Sequence, residues 1–214
     1  NLPEPAVVPS KNFNNVLYTG TGSSNAISVG FQPDWVWIKM RTQTYDHNIF
    51  DSVRGAGGKY LYTNATDAEA TNAERLKTFD SNGFTVGTQD AINENTHTFV
   101  AYNWKANGSG SANTNGSINT TSTSANVDAG FSISTYTGND TAGATVGHGL
   151  SQAPDFIMCK RRSNTGNWTI FWNNAETSDP QTDYWRLDTT GAVADSNTLW
   201  NDTAPTATVF SLGD

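Results

Sequence analysis

The side chains of this chain that could bind a ligand are aromatic rings in polar, irregular stretches. A sugar site places an aromatic ring against the C–H face of the sugar and uses amide, hydroxyl or guanidinium groups for its hydroxyls. In the stretch 167–174, Trp168 and Trp172 share one face of a predicted strand with Ile170, and packing and binding are both open for it. The candidates for ligand binding are Tyr45, Trp168, Trp172, Tyr184, Trp185 and Trp200, with Asn173, Asn174 and Arg186 for the polar contacts.

The three histidines, His47, His97 and His148, do not form a metal-binding or catalytic motif. They lie in separate segments without the short spacings of a metal site, and Cys159 is the only cysteine. We expect surface or structural roles for them, with His148 at a turn, and we predict no metal site and no cofactor. Acidic turn residues could ligate calcium, but no loop spacing selects one among Asp140, Asp202 and Asp214.

Glycoside hydrolysis would require two carboxyl groups flanking the scissile bond. Glutamates are few, and the Glu-x-Asp-x-x-Glu pattern of sandwich-fold glycosidases is absent. Asp34 and Asp155 occupy matching positions, but each follows a proline, and we expect them to fix the start of a strand through local N–H groups. We therefore predict that the chain is not an enzyme, with glycan depolymerase as the weakest of three functions considered.

The composition limits the class of partner. The chain has 214 residues and a net charge of -8, which argues against nucleic acid or an anionic membrane as a partner. Only 36% of residues are hydrophobic, but seven Trp, seven Tyr and ten Phe supply large side chains for a core. The sequence begins with Asn1 and not Met, so we expect a processed product or a piece of a longer protein.

The strands that must position these side chains are organised around one motif. In Gly30–Arg41 a Pro-Asp pair precedes an apolar run that ends in Lys and Arg, and Gly149–Arg161 repeats this order. Proline suits the start of a strand, and the aromatic and β-branched residues after it favour a strand. Because apolar side chains occupy both faces of Trp35–Met40, we expect a central strand covered on both sides. For the aromatic residues of this strand and of other predicted strands, packing is favoured over binding; they are Trp35, Trp37, Phe50, Tyr102 and Trp104.

Matching segments extend this motif into two internal repeats. We predict a Pro-rich arm over 1–11, a first β repeat over 12–106, a Gly/Ser/Asn/Thr linker or edge strand over 107–128, and a second β repeat over 129–214. Thr66–Glu69 fits a capping box and predicts a short helical turn. The second repeat lacks a counterpart of the strand Thr96–Trp104, so we expect either that the chain has been cut short or that the missing strand comes from elsewhere. An incomplete sheet would leave an exposed edge that could pair with another chain.

Short strands separated by turns, with little helix, predict an all-β fold, an antiparallel β-sandwich of jelly-roll type. The sequence leaves open whether the repeats form one sandwich or two.

Several motifs of this chain resemble a family of repeated, concanavalin-like β-sandwich segments in tail-fibre and virion surface proteins of marine bacteriophages. The resemblance covers roughly residues 12–214. Its motifs in the first repeat are Tyr18–Gly22, Val29–Lys39, Phe50–Ala56, Phe79–Gly87 and Phe99–Lys105. In the second repeat they are Gly130–Ile133, Tyr136–Asn139, Val146–Leu150 and Trp200–Thr206.

The resemblance implies adhesion or virion structure, and sugar binding follows from the fold by analogy. The leading hypothesis is a non-enzymatic, lectin-like module of a virion surface or tail fibre that recognises a host-surface glycan outside the cell. The alternative is a structural decoration or fibre-assembly subunit that pairs with other virion subunits, or with copies of itself, through the arm 1–11 and the open edge.

Overall fold

The computed structural model describes residues 7–173 and 179–213, which divide into two compact units. Unit 1 consists of the chain up to Thr63 together with Glu69–Ser109, and unit 2 consists of Asn64–Ala68 together with the chain from Gly110. The boundary after Ser109 lies inside the segment 107–128, which the sequence marks as a linker or edge strand. Of the predicted arm, Pro9–Lys11 forms a single 3-10 turn, and residues 1–6 lie outside the described residues.

Unit 1 contains nine strands and one short helix. The strands are β1 Phe13–Thr19, β2 Asn25–Ser28, β3 Trp35–Met40, β4 Asn48–Asp51, β5 Lys59–Tyr62, β6 Ala70–Thr71, β7 Leu76–Asp80, β8 Gly83–Val86 and β9 Thr98–Trp104, and the helix is α1 Asp90–Asn93.

Two antiparallel sheets form unit 1. One has the order β1-β9-β3-β4-β5-β6 and the other has the order β2-β8-β7. The predicted central strand is β3, which pairs with β9 on one side and with β4 on the other. The last strand in sequence, β9, lies between β1 and β3, so unit 1 is closed by a segment that arrives after all its other strands.

The core of unit 1 is supplied by both sheets, which makes the unit a β-sandwich. Val36, Ile38 and Met40 alternate along β3 and are buried, because every second side chain of a strand points to the same face. They belong to one cluster with Phe50 and Phe99, and with Ile27, Leu76, Phe84 and Val86 from the smaller sheet. The all-β antiparallel fold predicted from the sequence is confirmed.

The short helix of unit 1 is not where the capping box predicted it. Thr66–Glu69 forms no helix, and the two residues that follow it pair with β5 as β6. The helical turn is α1, whose buried Asn93 ties three segments together. The Asn93 side chain accepts a bond from the Thr21 N–H (3.0 Å) and donates to the Gly87 carbonyl (2.6 Å). Tertiary hydrogen bonds, and not a local capping sequence, therefore stabilise this turn.

The described residues of unit 2 form eight strands. They are β10 Ser122–Asn126, β11 Phe131–Thr135, β12 Thr145–Gly147, β13 Phe156–Lys160, β14 Trp168–Trp172, β15 Asp183–Arg186, β16 Ala194–Asp195 and β17 Val209–Ser211. They form three antiparallel sheets, with the orders β10-β11, β12-β17 and β13-β14-β15-β16. The threonine-rich part of the segment 107–128 thus supplies a strand, β10, which pairs with β11.

The core of unit 2 is smaller than that of unit 1 and relies on aromatic rings. Val146 of β12, Phe210 of β17 and Phe171 of β14 are buried together, with Trp200 from the loop before β17. Phe171 and Trp200 meet edge to face, with ring centroids 5.9 Å apart, the arrangement that aromatic pairs prefer. The side of the four-stranded sheet that carries Phe171 therefore faces the core.

Candidate functional site

The strand β14 carries two opposite faces, and only one of them presents rings to solvent. Phe171 points into the core of unit 2, so Trp172 points to the other side of the sheet. The register places Trp172 opposite Phe156 of β13 and Ile170 opposite Trp185 of β15. Phe156, Trp172 and Trp185 therefore lie on one face, which we call the outer aromatic face of unit 2.

Two tryptophans form the centre of the outer aromatic face. The rings of Trp172 and Trp185 lie 5.9 Å apart between centroids and are tilted by 56°. Trp172 is 48% exposed and Phe156 is 50% exposed, while Trp185 is half-buried. Large aromatic side chains normally contribute to a core, so their exposure at the end of two paired strands marks a surface that can bind an apolar or sugar ligand.

An amide and a carboxylate lie beside the pair Phe156 and Trp172, at the next position of the β13–β14 ladder. The Asn173 side-chain amide donates to a carboxylate oxygen of Asp155 (2.9 Å), and its backbone N–H donates to the Asp155 carbonyl (2.7 Å). Both residues are exposed. An amide and a carboxylate have more donor and acceptor positions than this one side-chain bond uses, so the pair can also bind hydroxyl groups. The Asp155 carboxylate bonds the Asn173 side chain across the ladder, and not the local N–H groups that its position after proline predicts.

Tyr184 and Arg186 are candidates that the structure separates from the tryptophan pair. They flank Trp185 in β15 and therefore point to the opposite face of the sheet. The Arg186 guanidinium lies 4.6 Å from the centre of the Tyr184 ring and donates to the Thr169 hydroxyl. Both side chains are half-buried, and their contacts stabilise the inner side of the sheet.

Three further candidates do not present a ring to solvent at the outer aromatic face, although Trp168 lies on the same side of β14 as Trp172. Trp168 and Trp200 are each only 3% exposed, so neither ring can stack on a sugar. For Trp200 the prediction of a binding role is wrong, because its ring is the edge-to-face partner of Phe171. For Trp168, for which the sequence leaves packing and binding both open, the burial favours packing, since it is as fully buried as Ile170 on its strand. Tyr45 is partly buried against the core of unit 1. Asn174 lies outside the described residues.

Unit 1 exposes aromatic side chains for which the sequence predicts a packing role. That assignment holds for Phe50, but Tyr102 is 40% exposed. The Tyr102 ring contacts Trp37 at 6.5 Å between centroids, and Phe13 and Leu17 of β1 are also exposed. The alternation of Thr98–Trp104 contains the signal for this face, since Tyr102 lies on the side opposite Phe99 and Ala101.

The only cysteine is not an activated nucleophile. Burial raises the pKa of the Cys159 thiol, and the Tyr136 hydroxyl lies 3.1 Å from its sulfur atom. Burial also raises the pKa of Tyr136. Both groups are therefore protonated at neutral pH, whereas nucleophilic catalysis by cysteine requires the thiolate.

Among the described residues, Glu69 and Glu74 are bound to cationic side chains. Glu69 accepts a bond from Arg54 (3.1 Å). Glu74 accepts bonds from Lys77 and Thr88, and these bonds lower the Glu74 pKa. Both carboxylates thus have structural roles.

No group of three or more His, Cys, Asp or Glu side chains that could hold a metal ion occurs in the described residues. Asp140 and Asp202, named as possible calcium ligands, both have positive φ angles and lie in turns or bends, and Asp214 lies outside the described residues. Within residues 7–173 and 179–213, no helix is long and apolar enough to cross a membrane.

His148 directly follows β12 and is buried, and its two ring nitrogens have different roles. Nδ1 accepts a bond from the Leu150 N–H (3.1 Å), and Nε2 lies 3.1 Å from the Thr206 carbonyl oxygen, to which it donates. Protonation of Nδ1 would replace the first bond with a contact between two donors. Burial accordingly lowers the His148 pKa below its usual 6.5.

Because the folded state disfavours charged His148, acidification below about pH 6.5 is expected to destabilise unit 2. The stabilisation is complete above the unfolded pKa and is lost as the pH falls. The variant His148→Gln should show a smaller loss of urea midpoint between pH 7.5 and pH 5 than the wild type. Identical pH profiles for the two proteins would contradict this role of His148.

The comparison with protein families shows which family the chain belongs to. A family model described as "Domain of unknown function (DUF7483)" matches residues 8–214, which is nearly the whole sequence. The chain belongs to the DUF7483 family. No curated protein and no solved structure is significantly similar to it. Membership of DUF7483 extends over both units and therefore over the outer aromatic face, but the family's description assigns no ligand to it.

Proposed function

We propose that this DUF7483 protein is a non-enzymatic, lectin-like module that binds a host-surface glycan. The single observation that carries the proposal is the pair Trp172 and Trp185, tilted by 56° at the end of the outer aromatic face that reaches solvent. Two rings at this angle form a shallow platform on which the C–H face of a pyranose can stack.

The polar groups beside the platform suit a sugar. Asn173 and Asp155 offer donors and acceptors to hydroxyl groups at the end of the strands that carry the rings. Charged residues are only 15% of the chain, and its net charge is -8. The surface is therefore better matched to a neutral, hydroxyl-rich ligand than to a polyanion.

The resemblance of the chain's motifs to tail-fibre and virion surface segments supports a location of the module at a virion surface. The module would lie at a virion surface, outside the cell, in a homo-oligomeric fibre or beside other virion subunits. The role of the fibre would be to present many copies of a weak sugar site, since multivalency raises the overall affinity without new contacts. A depolymerase remains the weakest alternative, because the proposal assigns no pair of carboxyl groups to bond cleavage.

The binding test uses single substitutions in the platform. Trp172→Ala and Trp185→Ala are each expected to weaken binding of an oligosaccharide selected on a glycan array by about tenfold or more, since stacking on one ring contributes of the order of 1–2 kcal/mol. Affinity is measured by isothermal titration calorimetry.

The matched control is Tyr102→Ala, which removes a comparably exposed ring from unit 1. We expect its affinity to equal that of the wild type. Loss of binding in the control with unchanged binding in both tryptophan variants would place the site on unit 1 and refute the proposed site. Release of reducing ends from the polysaccharide would refute the non-enzymatic assignment.

A further inference from the structure

The accessible rings of the outer aromatic face form a row that crosses the strands. On β14 this face carries Trp168, Ile170 and Trp172, because alternate residues of a strand share a face. Trp168 and Ile170 are buried, whereas almost half of Trp172 is exposed. Since the register places Phe156 opposite Trp172, the accessible rings lie side by side on neighbouring strands and not one after another along a strand.

Polar contacts lie at the buried end of the same face. Lys160, the last residue of β13, donates through Nζ to the Thr66 carbonyl (3.3 Å), in the segment Asn64–Ala68 that belongs to unit 2. Asp188 accepts a bond from the Trp168 N–H (2.9 Å). Because this end of the face is occupied by the protein itself, a ligand that stacks on the exposed rings must lie across the strands.

The row offers two separate surfaces on which a ring can stack. The backbone bond from Asn173 to Asp155 makes the next pair of the ladder, Phe156 and Trp172, a closely spaced pair without backbone bonds. The rings of Phe156 and Trp172 nevertheless form no pair among the aromatic contacts of the described residues, whereas Trp172 pairs with Trp185. Trp172 and Trp185 therefore form one stacking surface, and Phe156 forms a second.

The spacing of the strands sets the length of the row. Phe156 lies on β13 and Trp185 lies on β15, with β14 between them. Neighbouring strands are about 4.8 Å apart, so the row extends over roughly 10 Å. This length exceeds the width of one pyranose ring, so a single sugar cannot stack on both surfaces at the same time.

The polar pair Asp155 and Asn173 lies beside the interval between the two surfaces. Both residues are exposed, and they belong to the same two strands as Phe156 and Trp172. Their carboxylate and amide can bond hydroxyl groups of the sugar on either side of this interval. Phe156 and Trp172 are each about half exposed, so a bound sugar is not enclosed and a chain can continue beyond the row.

We propose that the outer aromatic face binds the interior of a linear glycan chain, with at least two consecutive sugars lying across β13, β14 and β15. One sugar stacks on Trp172 and Trp185, and its neighbour stacks on Phe156. Phe156 is then the residue that makes the site prefer a chain to a single sugar. This inference rests on the proposed function, because it specifies what the same face binds.

The test compares chain lengths on the whole 214-residue protein. The probes are fragments of one to six units of the neutral glycan that gives the strongest array signal, titrated by NMR so that weak binding is also measured. We expect the affinity to rise by about tenfold or more between one unit and three, since a second ring is then stacked. Phe156→Ala should remove this gain and leave the affinity for one unit unchanged, whereas Trp172→Ala should weaken binding at every length.

The matched control is Phe13→Ala, which removes an exposed phenylalanine from unit 1. We expect its affinities to equal those of the wild type at every length. If the wild type binds one unit as tightly as six, or if Phe156→Ala retains the gain, the inference is overturned and the lectin function stands. If the wild type binds no fragment, the proposed function itself fails, and this inference fails with it.

A second measurement separates the interior of a chain from its ends. The intact polysaccharide and an equal mass of it after hydrolysis to short fragments compete with a labelled six-unit fragment for the wild-type protein. Since hydrolysis creates ends and leaves the number of sugars unchanged, we expect the intact polymer to compete at least as well as the hydrolysate. Stronger competition by the hydrolysate would show recognition of chain ends and would overturn the assignment to the interior.

Discussion

The variant Phe99→Ala is expected to lower the free energy of unfolding of unit 1 by about 3–5 kcal/mol. Phe99 is 0% exposed and belongs to the strand that joins β1 to β3. Its ring stacks nearly parallel on Tyr18, with an angle of 13° between planes. Truncation would leave a cavity between two sheets that cannot both collapse into it. Urea unfolding followed by circular dichroism measures the loss.

Val100→Ala is the control in the same strand. Val100 lies on the opposite face of β9 and is only half-buried. We expect a loss well below that of Phe99→Ala, since a smaller and less buried group is removed. Equal losses for the two variants would show that β9 contributes through its backbone ladder and not through the ring of Phe99.

The variant Arg54→Ala is expected to cost a similar amount, about 3–5 kcal/mol, because it leaves a buried carboxylate without its cation. The Arg54 guanidinium bonds the Asp51 carboxylate, donates to Glu69 at 3.1 Å and donates to the Ile49 carbonyl at 3.1 Å. The side chains of Arg54 and Asp51 are both almost fully buried. The network fixes the turn after β4 to the segment that precedes β6.

The variant Lys77→Ala tests whether burial of the ion pair is the reason for the stability loss expected in Arg54→Ala. Lys77 and Glu74 form an ion pair of ordinary length, 3.1 Å, but both side chains are exposed. Water and salt screen such pairs, so we expect little change in the urea midpoint. A large loss in Lys77→Ala, or none in Arg54→Ala, would contradict the distinction. The double variant Asp51→Ala with Arg54→Ala should be more stable than Arg54→Ala alone, since it removes the uncompensated charge as well.

The sequence predicts a strand well where the alternation of apolar side chains agrees with proline or glycine at the strand's ends. The Pro-Asp pair before Trp35–Met40 marks the start of β3, and Asn82 with Gly83 marks the hairpin between β7 and β8. Proline restricts the backbone at the first point, and glycine permits the tight turn and close backbone approach at the second. Regular alternation then identifies the core face, as with Val36 and Ile38.

The helical turn and the site depend on contacts that sequence patterns do not encode. Asn93 is fully buried where Thr21, 72 residues away, and the nearby Gly87 both bond its side chain. Trp172 and Trp200 both lie in polar sequence, yet one is exposed and the other is buried against Phe171. The register that pairs Ile170 with Trp185, and so brings Trp185 beside Trp172, is a property of the sheet. Composition identifies candidate rings, and the fold decides which of them are exposed and which are buried.

Fluorine NMR of the protein labelled with 5-fluorotryptophan tests the location of the sugar site directly. The chain has seven tryptophans, and single substitutions assign their resonances. On titration with a bound oligosaccharide, we predict that the resonances of Trp172 and Trp185 shift while those of the buried Trp168 and Trp200 do not. Shifts confined to Trp35, Trp37 and Trp104 of unit 1 would contradict a sugar site on the outer aromatic face of unit 2.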